Sequence, residues 1–185
     1  FVDSTPLRVC KNQRIHIHKV FKGIAQRGKC SMGWFFGFKL HLICNEKGEL
    51  LNFMITPGDI DDRKPLEYKA FIDFIYGKLF GDKGYISKNL FQRLFVDGIQ
   101  LITKLKSNMK GALMSVSDRL LLRKRAIIET VNDELKNIAQ VEHSRHRCFD
   151  NFIVNLLGAI AAYCLFPKKP CINVQRTIDT QLALF

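Results

Sequence analysis

The stretch that decides the fold is GWFFGFKLHLICNEKGELLNFMITPG, residues 33–58. It is rich in aromatic and branched side chains, and the polar segment NEKGE, residues 45–49, interrupts it. Two apolar runs joined by such a turn are typical of a β-hairpin. Along the first run, Lys39 and His41 alternate with an apolar row and face away from it. The alternation predicts that these two side chains lie on a polar part of the sheet, open to a ligand.

The segments around the hairpin add strands and helices in a mixed order. Residues 1–5 (FVDST) have the pattern of a strand remnant that ends near Asp3, and residues 6–33 predict a long basic loop. The pattern predicts further strands at 78–82 and 99–105, and helices at 59–75, 87–98, 120–139 and 149–166. Antiparallel strands followed by βαβ units predict a mixed α/β sheet with helices on both faces.

The charge balance indicates a polyanionic partner. The chain has 185 residues, which suits a single domain over 1–185, and 29 Lys and Arg residues outnumber 17 Asp and Glu residues. From Ser4 to Asn45 there is no acidic residue, although Lys and Arg recur throughout. Such an excess favours nucleic acid over an anionic membrane surface. The most apolar stretch, residues 152–166, is too short to span a membrane.

Two carboxylates share a setting at predicted strand ends. Asp3 follows an apolar pair, and Asp82 follows Leu79 and Phe80 and lies between two glycines. An aspartate beside glycines is also an ordinary turn, and this motif alone leaves that alternative open. If the two strands are neighbours, the carboxylates converge at one edge and repel each other unless a cation neutralises them. Mg²⁺ or Mn²⁺ suits oxygen ligands of this kind.

The helix predicted over residues 120–139 offers a third carboxylate. At roughly 100° per residue, one polar sector borders the apolar stripe. That sector holds Arg125, Glu129, Asn132 and Lys136. Glu129 is therefore predicted to lie beside the buried face, and Glu134 to point to solvent. A solvated charge ladder explains the Arg125–Glu129 spacing as well, and that alternative stays open.

Other clusters have simpler interpretations. The acidic group Asp59, Asp61 and Asp62 is expected to cap a helix ahead of Pro65. Trp34 is expected in the core with its aromatic neighbours, rather than as a platform for stacked bases. Histidines and a cysteine fall in two groups that lack the spacing of a complete zinc site: His16 and His18, and His143, His146 and Cys148.

FVDST, FGDKGY and RAIIETVNDELKN resemble, in this order, the three acidic motifs of DDE-type insertion-sequence transposases. Arg125, Glu129 and Lys136 have the Arg-x3-Glu-x6-Lys spacing of one large branch of that family. GFKLHL, TPGDIDDRKP, HSRHR and AAYCLFPKKP are also similar to sequences of the family, so the resemblance covers nearly the whole chain. Leu122 stands where that branch usually has a tyrosine.

The resemblance implies an RNase H-like fold, with a mixed five-stranded sheet flanked by helices, and a transposase that cleaves and joins DNA strands. It implies that Asp3, Asp82 and Glu129 are catalytic and hold two Mg²⁺ or Mn²⁺ ions. The expected DNA-binding residues are Arg125, Lys136, Lys39, His41, Lys83, Arg145 and Arg147. The implied partners are duplex DNA, at element ends and target, and further copies of the chain at synapsis. The implied location is the bacterial cytoplasm, at the nucleoid.

Two other functions compete with this one. A nuclease of the same fold would cut DNA without joining it, and a non-catalytic remnant of a mobile element would only bind DNA. The chain begins at Phe1 without a methionine, and we expect it to be a fragment that lacks an N-terminal part.

Overall fold

Six strands and five α-helices make up the part of the chain that the computed structural model describes, residues 1–104, 114–142 and 146–172. The strands are β1 (Val2–Cys10), β2 (Gln26–Cys30), β3 (Gly33–Cys44), β4 (Leu50–Pro57), β5 (Gly77–Gly81) and β6 (Ile99–Thr103). The helices are α1 (Lys69–Ile72), α2 (Lys88–Val96), α3 (Val116–Arg123), α4 (Ala126–Asn137) and α5 (Phe149–Cys164). Short 3₁₀ helices cover Asn12–Ile17, Lys64–Glu67 and Lys83–Tyr85.

Strand β3 is the centre of the larger sheet. It pairs in antiparallel fashion with β1 along one edge and with both β2 and β4 along the other. The predicted hairpin over 33–58 is therefore β3 and β4, with Lys39 opposite Thr56. Pro6 lies within β1. Since proline has no N–H to donate, its presence suits a strand with a sheet partner on one side only.

Both faces of β3 are covered, which makes the core two-layered. Leu40, Leu42 and Cys44 pack in one cluster with the apolar faces of α4 and α5. Ile43 belongs to a second cluster, with residues of α1, α2 and β6. Alternate residues of a strand point to opposite faces, so β3 supplies both layers of the core. The helices lie on both sides of the strands, as the mixed α/β prediction requires.

The second sheet consists of β5 and β6, which pair in parallel. Its edge meets the larger sheet where β5 lies beside β1. The rings of Phe1 and Phe80 are 5.5 Å apart between centroids, and a Cβ on Gly81 would lie 3.3 Å from Val2 Cγ1. We call this contact the seam.

The expected single five-stranded sheet is not what these residues form. A four-stranded and a two-stranded sheet are present within the described part of the chain. Two physical causes account for the difference. Strand β2 adds a strand from residues that predicted a loop, and β5 meets β1 through side chains at the seam instead of through backbone pairing. The segment 6–33, expected as a basic loop, contains the rest of β1, the first 3₁₀ helix and β2.

Two predicted helices are shorter than expected. The helix expected over 120–139 is divided into α3 and α4, with Lys124 and Arg125 between them. In place of the helix expected over 59–75, a 3₁₀ turn precedes the single turn of α1. The Asn52 side chain donates to the carbonyls of Ala70, at 3.0 Å, and Phe71, at 3.2 Å. These bonds occupy acceptors that a longer helix would use for its next turn.

Gly28 should be essential for the close approach of β2 and β4. A Cβ at this position would overlap the carbonyl of Gly58 and lie 2.7 Å from Phe35 Cζ. We expect Gly28→Ala to lower the free energy of unfolding by about 1–3 kcal/mol, because the backbone must move apart. Gly158 in α5 has open space around it, so Gly158→Ala is the control and should be neutral or stabilising. Urea denaturation measures both, and an unchanged midpoint for Gly28→Ala would contradict the packing described here.

Candidate functional site

Three separate elements carry the three predicted acids. Asp82 directly follows β5, where it precedes a 3₁₀ turn, as the sequence predicts. Glu129 lies in the first turn of α4. Asp3 lies inside β1, opposite Leu42 of β3, and not at a strand end. The prediction of a strand end was wrong there, because Pro6 is accommodated on the sheet edge and β1 continues to Cys10.

The guanidinium of Arg125 links two of these acids, Asp82 and Glu129. Its Nη2 atom lies 2.8 Å from Glu129 Oε1 and 3.9 Å from Asp82 Oδ1. The Arg125 side chain is only 17% exposed, whereas Asp82 and Glu129 are 54% and 57% exposed. The break between α3 and α4 places Arg125 at the start of α4, where its side chain reaches both carboxylates. The i,i+4 pair of the charge-ladder alternative is thus present, but its arginine also faces the end of β5.

Asp3 is the least solvated of the three carboxylates. Burial raises the pKa of its carboxyl from the usual 3.8 to about 6, and a hydrogen bond from the Ser4 backbone and then the charge of Arg125 oppose that increase. The nearby carboxylates Glu129 and Asp62 push the pKa of Asp3 further up. Its side chain accepts a long hydrogen bond of 3.4 Å from Asn132 Nδ2. The buried carboxylate of Asp3 is therefore poorly neutralised, even with Arg125 nearby.

Asn132 and Asp62 are neighbours of Asp3 that sequence reasoning left without a role in the site. The Oδ1 atom of Asn132 is buried and has no hydrogen-bond partner among the described residues. Asp62 accepts a hydrogen bond of 2.8 Å from Ser4 Oγ, the residue after Asp3. Asn132 could have been identified as a site residue from sequence, because it lies in the same helical sector as Glu129. Nothing in the sequence predicts the pairing of Asp62 with Ser4.

The donor set fits a hard divalent cation in its chemistry. Two of the three carboxylates, Asp82 and Glu129, lie within 3.9 Å of one cationic side chain, and Asn132, which donates to Asp3, carries an unpaired amide oxygen. Oxygen donors of this kind suit Mg²⁺ and Mn²⁺. Among residues 1–104, 114–142 and 146–172, however, no three His, Cys, Asp or Glu side chains are close enough to hold a metal ion. Arg125 lies within ion-pair distance of Asp82 and Glu129, so these two carboxylates face an internal cation.

His41 does not contact DNA as predicted. Its side chain is 1% exposed and forms a hydrogen bond of 2.8 Å with Thr56 Oγ1. Burial lowers the pKa of His41 from 6.5 to about 4, so the imidazole is neutral at physiological pH. The alternation that turns it away from the apolar row is present, but the second face of β3 is covered as well.

Lys39 and Lys136 have internal partners. Lys39 Nζ lies 2.9 Å from Asp62 Oδ1 and donates to the Ile60 carbonyl. Lys136 Nζ donates to the Pro6 carbonyl at 2.7 Å and lies 3.3 Å from Glu142 Oε2. The hydrogen bond from Lys136 to the Pro6 carbonyl joins α4 to β1.

Lys83 and Arg147 are exposed, Lys83 directly beside Asp82. Arg145 lies outside the described residues, as does His143.

Several other predictions need correction. Glu134 does not point to solvent, because its Oε2 atom is buried without a hydrogen-bond partner in the described structure. Asp61 does not cap a helix: it pairs with Arg63 at 2.6 Å, which lowers the pKa of the Asp61 carboxyl to about 2. Leu122, which stands where the branch usually has a tyrosine, is buried in the core.

Trp34 is 58% exposed, although Phe35 and Phe36 are buried. The prediction that all three aromatic residues belong to the core was therefore wrong for Trp34. It lies near the tip of the hairpin formed by β2 and β3.

Comparison with known proteins gives one family. A family model described as a transposase DDE domain matches residues 1–149 of the chain. No curated protein and no solved structure gives a significant match. Within the part of the chain that the structure describes, no helix combines the length and the apolar character that crossing a bilayer requires.

Replacing Asp3 by Asn should stabilise the protein near neutral pH. A carboxyl whose pKa rises on folding, here from 3.8 to about 6, contributes stability below pH 3.8. That contribution disappears as the pH rises from about 4 through 6, because the buried group must ionise. At pH 7 we expect the free energy of unfolding of Asp3→Asn to exceed that of wild type by about 1–3 kcal/mol. Urea denaturation measures this difference.

The difference between Asp3→Asn and wild type should shrink toward zero as the pH falls to about 4. His41 titrates over a similar range, but it is present in both proteins and its effect cancels. Asp133→Asn is the control, since Asp133 is exposed on α4, and its pH profile should parallel that of wild type. If the difference in free energy of unfolding between Asp3→Asn and wild type did not change with pH, an uncompensated charge on the Asp3 carboxylate would be excluded as its cause.

Proposed function

Because this chain belongs to the transposase DDE domain family, we propose that it cleaves DNA strands and transfers the cut 3′ ends, with Asp3, Asp82 and Glu129 as the catalytic carboxylates. The observation that carries this proposal is that Asp82, at the end of β5, and Glu129, in α4, both lie within 3.9 Å of Arg125, whose charge also opposes the rise that burial causes in the pKa of Asp3 in β1. These elements are far apart in sequence. A surface charge ladder explains only the pair within α4.

The arrangement of layers supports an RNase H-like fold as part of the proposal. An antiparallel sheet built on β1, β3 and β4 is followed by a parallel pair, β5 and β6, with helices on both sides. The seam brings the end of β5 next to the start of β1. Asp82 therefore follows the strand that lies beside the strand of Asp3.

The carboxylates of Asp3, Asp82 and Glu129 would hold Mg²⁺ or Mn²⁺, with the Asn132 amide oxygen beside them. Bound divalent ions would stabilise the charge on the attacking and leaving oxygens of an in-line phosphodiester displacement. The protein's own part is to present oxygen donors from three rigid elements. The unneutralised charge of Asp3 creates a demand for a further cation near β1.

Arg125 would hold a DNA phosphate once the carboxylates have another cationic partner. Its guanidinium is directed at the acids and can grip a phosphate with two parallel hydrogen bonds. Lys83 is exposed beside Asp82, and Arg147 is exposed at the start of α5, so both can contact the DNA backbone. Lys136, by contrast, positions α4 on β1 through the Pro6 carbonyl.

One observation favours a second candidate, a DNA-binding protein without catalysis. The described residues contain no ready group of three metal-binding side chains, and Arg125 already pairs with Glu129. In a chain that only binds DNA, metal ions need not replace Arg125 as the partner of the carboxylates. The two candidates differ in strand chemistry and not in affinity for DNA.

Binding to DNA should depend steeply on salt. The acid-free stretch from Ser4 to Asn45 and the exposed Lys83 and Arg147 supply phosphate contacts. Each phosphate that is neutralised releases counterions, so the logarithm of the affinity should fall linearly with the logarithm of salt concentration. Fluorescence anisotropy of a labelled duplex measures the slope. An affinity that stays constant between low and moderate salt would contradict DNA as the partner.

Glu129→Gln should abolish strand cleavage and strand transfer while leaving DNA affinity within about twofold of wild type. Glutamine keeps the shape and helix propensity of glutamate but removes the charge that would bind the metal. The substrates are labelled duplexes that carry the DNA flanking the reading frame, incubated with Mg²⁺ or Mn²⁺. A pre-cut duplex with a free 3′-hydroxyl and a plasmid target separate joining from cutting.

Asp133→Asn is the matched control, because Asp133 lies on the same helix, is exposed and pairs with Asn137 at 2.6 Å. It should cut and join like wild type. Full activity of Glu129→Gln would exclude Glu129 as the third carboxylate. A wild-type chain that binds DNA but neither cuts nor joins supports the non-catalytic candidate, and cutting without joining supports a nuclease.

A further inference from the structure

The hairpin of β2 and β3 ends in an exposed aromatic side chain on a basic surface. Trp34 is opposite Lys29 in the β2–β3 register, and Lys29 Nζ lies 5.9 Å from the centre of the indole ring. The Trp34 carbonyl accepts a hydrogen bond of 2.9 Å from Asn12 Nδ2. The tryptophan backbone is thus anchored to the 3₁₀ helix after β1, while more than half of its side chain is open to solvent.

Two adjoining clefts extend from Trp34 along the end of β1. The first has a volume of about 330 Å³ and lies between Trp34, Arg8 and Lys11. The second, of about 560 Å³, continues past Lys11 to Arg14. Neither lining contains an aspartate or glutamate among the described residues. An exposed aromatic ring beside uncompensated cations is complementary to a nucleobase with its flanking phosphates.

The position of the hairpin relative to the acids sets which part of the DNA it would meet. Asp3 is opposite Leu42 in the register of β1 and β3, and Trp34 lies eight residues before Leu42 on the same strand. At 3.3 Å per residue, Trp34 is about 26 Å along the strand from the position of Asp3. That length corresponds to about eight base pairs of duplex DNA.

We propose that this hairpin is a second DNA-binding site, at which Trp34 stacks on an unpaired or unstacked base about eight base pairs from the acids. Lys29, Lys11 and Arg14 hold the adjoining phosphates. The inference rests on the proposed function for its partner, DNA, but it does not require catalysis. Trp34 needs a base whose face is open, because a fully stacked duplex offers the ring no surface except at its ends.

Fluorescence of the protein reports on this site directly, since Trp34 is the one tryptophan in the sequence. The probes are two labelled duplexes, one fully paired and one with a single bulged base in its interior. Anisotropy of the label measures binding independently of the tryptophan. We expect the bulged duplex to quench Trp34 fluorescence at saturation, and to quench it more strongly than the paired duplex does.

Substitution separates stacking from general electrostatic attraction. Trp34→Ala should weaken binding of the bulged duplex by about 5- to 150-fold, the range of one base stacked on an aromatic ring, with an unchanged salt slope. Trp34→Phe should retain most of the affinity. Met32→Ala is the matched control, because Met32 is exposed on the same hairpin and should bind like wild type. Lys29→Ala should reduce the salt slope by about one.

The two possible failures are distinct. If both duplexes bind with a steep salt dependence while Trp34 fluorescence stays constant and Trp34→Ala binds like wild type, the second site is wrong and the proposed function stands. If neither duplex binds, both proposals fall.

Discussion

Burial of β3 on both of its faces is the constraint on which the rest of the structure depends. Strands β1, β2 and β4 all pair with β3, and its alternate side chains supply both layers of the core. A slip of one residue would exchange the apolar row with Lys39 and His41, so the register is strongly specified. On β3, His41 pairs with Thr56 and Lys39 pairs with Asp62. Through Asp62, this pairing reaches Ser4 and the surroundings of Asp3.

The charge arrangement of the site follows from where the helices are divided. Arg125 stands between α3 and α4, and its guanidinium contacts carboxylates from α4 and from the end of β5. Asp3 feels that charge without a direct ion pair, and burial keeps its carboxyl pKa high. Two acids thus contact a single cation, and a third acid is close enough for its pKa to be affected by that charge. This imbalance of charge is destabilising for the fold, and the proposed divalent ions would offset it.

Much of the order of the elements was accessible from sequence, because it rests on local patterns, although β2 was missed. Alternation located β3 and β4, and the spacing of Arg125 and Glu129 located the polar sector of α4. The exposure of individual residues was not accessible. His41 alternates like a surface residue, but it is buried because a second layer of helices covers that face. Trp34 is surrounded by core aromatic residues in sequence, and it is exposed because β3 extends beyond the end of β1.

The seam between the two sheets has a mechanical consequence. In the described chain no ladder of backbone hydrogen bonds joins β1 to β5, so side-chain packing alone holds the two sheets together there. Asp3 belongs to one sheet and Asp82 follows a strand of the other. The position of one acid relative to the other is therefore not fixed by strand pairing. The separation of the two acids depends on how Phe1, Val2 and Phe80 pack across the seam.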